Sequence, residues 1–161
     1  SEVPLWQWGG RWKRVIVPVV MAVVAVHLLI PLRHHLFPGD VAWTEEGHRY
    51  SWRMMLRSKQ GYGAFIVRDK DTGKEMEEDP LDWLNEDQLR KLYTRPDMIL
   101  QFAHHLRDVY REKGKRVAVF ADIRVRLNFR EFSTYIDPEA DLAAADWHFF
   151  RHSDWILPEN K

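Results

Sequence analysis

Eight histidines are the most obvious candidates for chemistry in this sequence, because imidazole is a common ligand of zinc and other transition metals. His148 and His152 would share one face of a helix, with Asp146 and Asp154 nearby. The segment "HFFRHSDW" is not a convincing helix, however, and the zinc motif H-E-x-x-H is absent. Cysteine is also absent, which excludes disulfides, thiolate catalysis and cysteine-ligated metals. We therefore predict no metal site and expect solvated or core histidines.

The sequence also lacks the familiar catalytic loops. "GYGAF" follows a turn, enters a predicted strand and lacks the lysine and Ser/Thr of a phosphate-binding loop. No G-x-S-x-G nucleophile elbow occurs. Ser51 lies between Tyr50 and Trp52 without a nearby base, so an ordinary strand serine is favoured over a nucleophile. No residue of this chain is predicted to be catalytic.

Three groups of residues could bind a ligand. Aromatic and methionine side chains crowd into "WTEEGHRYSWRMM" (residues 43–55), which is either a recognition surface or part of a core. Two arginines on one strand face could hold a ligand carboxylate, or pair with neighbouring acids. The acids of "EMEEDPLDW" could attract a basic peptide or a hard cation, or form a solvated hairpin edge. We favour the structural alternative in each case. The predicted substrate-binding residues are Trp43, Tyr50, Trp52, Met54, Met55, Arg124 and Arg126.

An uncharged apolar run over residues 15–32 predicts a membrane-spanning helix. It would form about 27 Å of helix, close to the roughly 30 Å hydrocarbon core of a bilayer. Three tryptophans precede it, where amphipathic rings favour the headgroup layer. Pro18 is expected in the first helical turn, where it costs little. His27 is the only ionisable group inside, and we favour a position near the interface over a functional role.

The flanking charges predict the orientation of this helix. Basic residues stand at positions 11, 13 and 14, whereas Arg33 alone follows the helix before Asp40. The positive-inside tendency therefore places the amino-terminal end in the cytoplasm and the rest of the chain outside. Residues 1–35 contain four basic residues and one acidic residue, so the remaining chain has 20 basic and 23 acidic residues. This neutral to mildly acidic balance does not suggest a nucleic-acid partner.

The chain divides into two predicted parts. Residues 1–35 form an interfacial segment and the transmembrane helix, and residues 36–161 form an extracytoplasmic α+β domain. The opening "SEVPLWQWGG" has no charged n-region and no cleavage site, so it does not resemble a signal peptide. Because the first residue is Ser1, we expect the chain to be a piece of a longer polypeptide.

Short apolar runs predict the strands of the outer domain. "YSWRMMLRS" and "YGAFIVRD" are typical of strands, and "KDTGKE" predicts a hairpin turn into a third strand at residues 75–78. "RVAVFADIRVRLN" alternates strictly, as expected for an antiparallel strand with one buried face. "EFSTYID" predicts a further strand, and "LAAADW" a helical turn.

Two helices are predicted between these strands. Asn85 and Gln88 form a capping-box pattern at the start of the first, and Pro96 suits the first turn of the second. Gly114 suits the end of the second helix. The predicted fold class is α+β: one transmembrane helix, then a β-rich, sandwich-like extracytoplasmic domain with two helices. The apolar stripe of the second helix centres on Met98, Phe102, His105 and Val109, flanked by Ile99, Ala103, Leu106 and Tyr110.

The order of these segments resembles a known family. A span is followed by "W-T-x-x-G-x-x-Y-S-W-x-M-M", a "D-x-x-T-G" turn, a "DM…Q-x-A" helix, "F-x-x-x-x-D-P" and "A-x-W…F-x-R-x-S/T-x-W-x-x-P". This pattern resembles the carboxy-terminal part of vitamin K-dependent gamma-glutamyl carboxylases and their bacterial relatives with the horizontally transferred transmembrane domain. The matching residues are Trp43, Thr44, Gly47, Tyr50, Ser51, Trp52, Met54, Met55, Asp69, Thr72, Gly73, Asp97, Met98, Gln101, Ala103, Phe132, Asp137, Pro138, Ala145, Trp147, Phe150, Arg151, Ser153, Trp155 and Pro158.

The resemblance implies part of an integral membrane enzyme, a carbon–carbon lyase. The family couples oxygenation of reduced vitamin K to proton abstraction at the γ-carbon of a substrate glutamate, and then adds carbon dioxide. Its catalytic base and quinone site lie in an earlier multi-span region that this chain lacks. The resemblance therefore implies a domain that binds no cofactor itself and is inert alone. Its expected partners are the multi-span region, a protein or peptide substrate and the lipid bilayer. The alternative is a non-enzymatic, membrane-anchored binding or packing module.

Overall fold

The structure, a computed structural model, describes residues 10–51 and 57–159 of the chain. Its longest helix, α1 (Gly10–Leu32), continues into a 3-10 turn at Arg33–Leu36. Among the described residues, this is the one helix long and apolar enough to cross a membrane. Its apolar side chains are almost entirely unburied, as expected for a helix whose surroundings are lipid rather than protein.

Pro18 does not lie in the first turn of this helix. Because α1 begins at Gly10, Pro18 is an interior residue, and its ring removes the hydrogen bond to the carbonyl of Arg14. The expectation was wrong because the helix extends before the uncharged run, through residues that carry positive charge. His27 Nδ1 lies 2.8 Å from the Val23 carbonyl oxygen one turn earlier, so its polar edge has a partner within the helix.

The outer domain is built on one antiparallel sheet with the strand order β2-β1-β3-β4. The strands are β1 (Lys59–Asp69), β2 (Glu75–Glu78), β3 (Val117–Leu127) and β4 (Ser133–Thr134). The predicted hairpin between β1 and β2 is confirmed. Asp69 Oδ1 accepts from the backbone N–H of Asp71 at 2.9 Å and of Thr72 at 3.1 Å, and Gly73 takes a φ of 70°.

The alternation predicted for β3 is also confirmed, with every second side chain from Val117 to Leu127 buried. Helix α4 (Pro96–Glu112) packs on this buried face. The α+β class is therefore confirmed, but the described residues contain one sheet rather than the two of a sandwich. A helix covers the sheet where a second sheet was expected, because α4 supplies a long apolar stripe for the buried face.

The helices before β3 begin and end as predicted. Helix α3 (Glu86–Leu92) has a complete capping box between Asn85 and Gln88, and α4 begins at Pro96 and ends at Glu112, with Lys113 as its C-cap and Gly114 next. The stripe of α4 is rotated from its predicted centre, because His105 is exposed while the flanking residues form the core. The buried residues of α4 are Pro96, Ile99, Leu100, Phe102, Ala103, Leu106 and Tyr110.

Two strand predictions need correction. Tyr50 lies in a turn with a left-handed φ of 68°, and the first strand begins only at Lys59. The turn forms because Asp40 caps a short helix, α2 (Val41–Thr44), which ends at a left-handed Glu45. Of the predicted strand 131–137, only β4 and an isolated bridge between Ile136 and Ile156 form. The rest of the predicted strand "YSWRMMLRS", residues 52–56, lies outside the described residues.

Candidate functional site

Trp43 anchors the short helix α2 in the core of the domain. Only 1 % of its surface is exposed, and its indole N–H donates to the Leu157 carbonyl at 2.8 Å. Its ring meets Tyr135 edge-on, with 5.3 Å between ring centroids. Buried tryptophans usually pair their N–H in this way. Trp43 therefore joins the first helix of the domain to its last segment.

A buried amine lies against this pair of rings. Lys59 Nζ donates to the Trp43 carbonyl at 2.6 Å and to the Tyr135 hydroxyl at 2.7 Å, and it lies 3.6 Å from Glu45 Oε1. Burial lowers the pKa of Lys59 to about 7, and Glu45 partly opposes that shift. Burial likewise raises the pKa of Tyr135 well above its ordinary value. This network holds Glu45, which Arg57 also contacts, at the wall of a cleft.

Glu46 connects the same loop to the carboxy-terminal segment. Its carboxylate is fully buried and accepts from the Ser153 backbone N–H at 2.8 Å, while its other oxygen lies 2.5 Å from His152 Nδ1. A buried carboxylate is tolerated only when its oxygens are hydrogen-bonded, as they are here. Glu45 and Glu46 thus fix the start of the loop over residues 45–49, which helps to position the side chains that follow.

Those side chains line a cleft of about 660 Å³ between the end of α1 and the first half of α4. Four arginines and two carboxylates face it, so its formal charge is positive when the histidines are neutral. Arg57 pairs with Glu45, and Arg49 pairs with Asp97. The lining residues are Arg33, Glu45, Gly47, His48, Arg49, Arg57, Arg95, Asp97, Leu100, Gln101, His104, Trp147 and Phe149.

The charges of Arg33 and Arg95 are not neutralised by a carboxylate of the described residues. Neither forms an ion pair with any carboxylate of the described residues. Arg33 is only 7 % exposed, and its Nε and Nη1 have no hydrogen-bond partner within residues 10–51 and 57–159. Its guanidinium carbon lies 3.6 Å from the Phe149 ring centroid. A buried guanidinium with unpaired N–H groups at the wall of a cleft is suited to bind an anion.

His48 adds a neutral polar group to the same wall. Burial is the main cause that lowers the pKa of His48, and Arg57, Arg95 and Arg49 lower it further. Its Nδ1 is buried without a partner in the described part of the chain. An uncharged imidazole beside arginines leaves the positive charge of the cleft to the guanidinium groups. The arrangement can hold a carboxylate, but it places no nucleophile beside a base.

Of the predicted substrate-binding residues, the four that the structure describes do not line this cleft. Trp43 is buried in the core, whereas Tyr50 is 71 % exposed on the turn beside the cleft. Trp52, Met54 and Met55 lie outside the described residues. Arg126 donates to Gln60 Oε1 at 2.8 Å and stacks on Phe132, whereas Arg124 lies 3.9 Å from Asp122. Binding by these residues stays a prediction.

A second cleft of about 780 Å³ includes one of those predicted arginines. Arg124, Arg130 and Phe132 line it on the outer face of the sheet, with Ser133, Thr134, Glu131 and Glu159. Arg130 is already bound there by Glu159, at 2.9 and 3.0 Å. The acidic β2 strand lies at the opposite edge of the sheet, where Glu75 pairs with Arg68 and Glu78 accepts from Tyr110.

The histidines lie in several parts of the domain, although the His34 and His35 ring centroids are 3.9 Å apart and His48 and His104 line the same cleft. No group of three metal-ligating side chains occurs within the part of the chain that the structure describes. His148 lies beside Arg151, His152 beside Glu46, and His104 beside the Ala145 carbonyl. Each therefore has its own polar neighbour. The prediction of no metal site stays a prediction.

Sequence reasoning missed the residues that form the first cleft. Arg33 was counted only as a flanking charge, and Arg95 was not singled out. One signal was available: a cation placed directly after an apolar span, followed about twelve residues later by "EEGHR", in which two acidic residues precede a glycine and His-Arg follows it. The pairing of these positions with Phe149 and α4 depends on contacts distant in sequence.

An apolar, unburied helix joined to an α+β domain fits a membrane-anchored protein with a lumenal domain. The family model "Vitamin K-dependent gamma-carboxylase, lumenal domain" matches residues 12–161, and the chain belongs to this family. It is therefore a portion of a carboxylase-like membrane protein, which confirms the resemblance drawn from the sequence. No solved structure matches the chain.

Proposed function

We propose that this chain is the carboxy-terminal, substrate-side portion of a gamma-glutamyl carboxylase-like integral membrane enzyme. The observation that carries the proposal is the family match over residues 12–161. The positive cleft supports it, because a carboxylase of protein glutamate must hold a peptide rich in negative charge close to the membrane. In this proposal α1 is a single span, residues 1–35 form the membrane part, and residues 36–161 form an extracytoplasmic domain.

The role of the cleft is to bind and orient carboxylates of the peptide substrate. Arg33 offers two unpaired N–H groups from a buried position, and Arg95 adds a second cation at the start of α4. A charge-assisted hydrogen bond contributes roughly 1.5–3 kcal/mol, so one well-placed carboxylate would account for about a tenfold or larger gain in affinity. The exposed Arg95 is expected to contribute less, because solvent screens its charge.

Reduced vitamin K belongs, in this proposal, to the longer protein. When bound there, the quinol would supply the strong base that proton abstraction from glutamate requires. Both clefts formed by the described residues are lined mainly by charged and polar side chains, which do not fit an apolar quinone ring. The residues of this chain therefore bind the peptide and leave the chemistry to the multi-span region.

The alternative is a non-enzymatic, membrane-anchored module that binds or packs through exposed aromatic residues. Trp43 and Trp155 are buried and shape the core, which removes them from any such surface. Trp147 remains accessible on the loop beside the cleft. The alternative therefore rests on that loop and on residues outside the described ranges, and it predicts binding without turnover.

The test is a carboxylation assay of the full-length protein with reduced vitamin K, bicarbonate and a glutamate-containing peptide. We expect product in the wild type, and a raised KM with a smaller change in kcat for Arg33→Gln. Arg33→Lys should recover part of the loss, because it restores charge without the guanidinium geometry.

Arg116→Gln is the matched control, because Arg116 is an exposed arginine that pairs with Asp71 at the β1–β2 turn. It should leave KM unchanged. Absence of product with every peptide would refute the carboxylase proposal. Equal KM values for wild type, Arg33→Gln and Arg116→Gln would remove the cleft from substrate binding while leaving the enzyme class intact.

A further inference from the structure

A loop of aromatic residues lies beside the end of the membrane helix. Trp147, Phe149 and Phe150 are all exposed, and Phe150 reaches 68 % exposure. The Phe149 and Phe150 rings pack edge-on, with centroids 4.9 Å apart. Trp147 and Phe149 contribute to the cleft wall, but neither the core nor the cleft accounts for the exposed Phe150 ring. Grouped exposed aromatics mark a contact surface.

The position of Arg33 at the end of α1 indicates the depth of this loop relative to the membrane. Helix α1 ends at Leu32, so Arg33 is the first residue beyond the apolar helix. The helix is roughly 34 Å long at about 1.5 Å per residue, slightly more than the roughly 30 Å hydrocarbon core. Arg33 therefore lies at the boundary between hydrocarbon and headgroups when α1 spans a bilayer. Its guanidinium carbon is 3.6 Å from the Phe149 ring centroid, which brings the loop to the same level.

We propose that the aromatic loop of residues 147–150 contacts the lipid headgroup layer and forms a second attachment of the domain to the membrane. Tryptophan and phenylalanine side chains at this depth bury apolar surface while their neighbours remain hydrated. Leu36, exposed in the 3-10 turn after α1, extends the same apolar surface towards the helix. Arg151, also exposed, follows the loop and provides a cation for lipid phosphates.

This attachment would fix the rotation of the domain about α1. A single helix followed by a short link leaves a domain free to tilt, whereas a second contact defines which face meets the bilayer. Because Trp147 and Phe149 also line the cleft, the same contact would orient the cleft opening at the membrane surface. The inference depends on α1 spanning the bilayer and is independent of carboxylation.

The absence of cysteine allows a direct test in the whole chain. Phe150→Cys, at an exposed position, accepts one polarity-sensitive fluorophore in a phosphatidylcholine nanodisc. Thr72→Cys is the control, because Thr72 lies in the turn beyond Asp69, at the end of β1 opposite Lys59. The eleven residues of β1 separate the two ends by roughly 33 Å at about 3.3 Å per residue.

We expect the fluorophore at position 150 to emit at a shorter wavelength than the one at 72. Its intensity should fall when the nanodisc contains lipids with a nitroxide near the headgroup, and that at 72 should not change. Arg33→Gln in the Phe150→Cys background should reduce this quenching, because the loop loses its stacking partner at the helix end. The unfolding midpoint of each variant shows that the domain remains folded.

Two results would overturn the proposal. Identical emission and quenching at positions 150 and 72 would mean that the loop faces water. A shorter emission wavelength at 150 without quenching by the labelled lipids would mean that protein, rather than lipid, covers the loop. Neither result depends on a carboxylation assay, so this proposal can fail while the proposed function stands.

Discussion

Replacing Lys59 by methionine should abolish a pH dependence of stability that this buried amine creates. The Lys59 side chain is almost fully buried, and burial lowers its pKa from 10.5 to about 7. Between these two values the unfolded chain binds more protons than the folded chain. The free energy of unfolding therefore rises with pH across this range.

The size of the effect follows from the two pKa values. From pH 7 to pH 9, a shift from 10.5 to about 7 corresponds to a gain of about 2 kcal/mol in the free energy of unfolding. The range ends at pH 9 because tyrosine begins to ionise near pH 10 in the unfolded chain. Burial raises the pKa of Tyr135 in the folded chain, so this ionisation favours unfolding. Glu45 keeps Arg57 as a partner in the Lys59→Met variant, so no buried charge is left alone.

The measurement is urea unfolding of the chain in detergent micelles, followed by tryptophan fluorescence at intervals from pH 7 to pH 9. Wild type should gain about 2 kcal/mol over this range, and Lys59→Met should show little change. Lys74→Met, at an exposed position of the β1–β2 turn, should behave as wild type. Parallel pH profiles for wild type and Lys59→Met would refute the reasoning.

Three further substitutions test the packing of the domain by the same unfolding measurement. Trp43→Ala should cost about 3–5 kcal/mol, because it opens a cavity in the core; a loss below about 1 kcal/mol would contradict its structural role. Asn85→Ala should cost about 1 kcal/mol through loss of the capping box, with no change in m-value. Gly63→Ala should cost about 2 kcal/mol or more, because its Cβ would overlap the Asp122 carbonyl of the paired strand. Gly10→Ala, where a Cβ meets nothing, should be neutral.

Sequence patterns predicted the elements whose causes are local. The alternation from Val117 to Leu127, the Asp-Thr-Gly turn and the capping box at Asn85 each depend on neighbours within a few residues. The prediction of a strand at Tyr50 was wrong because it did not take account of the turn that precedes this residue. A run of aromatic and basic residues suits a strand, but the left-handed Glu45 at the end of α2 sends the chain into turns instead.

The cleft could not be predicted because its parts meet through contacts distant in sequence. Arg33 meets Phe149, and Arg49 meets Asp97, without any spacing that marks the pairs. For the same reason, the sequence did not predict that α4, rather than a second sheet, covers the buried face. The apolar face of β3 accepts either a sheet or a helix, and only the packing of the whole domain decides between them.

The bonds from Trp43 to Leu157 and from Glu46 to Ser153 have a consequence for how the domain is made. They join residues 114 and 107 positions apart, so the segment that follows α1 is completed only by residues that are synthesised much later. Such contacts slow folding, because a long loop must close before they form. During synthesis Trp43 and the Glu46 carboxylate remain without these partners until Ser153 and Leu157 have emerged. A chain cut short before Ser153 contains all four strands of the sheet but lacks the partners of Trp43 and Glu46. It should therefore be incompletely folded around these residues and be recognised by proteases.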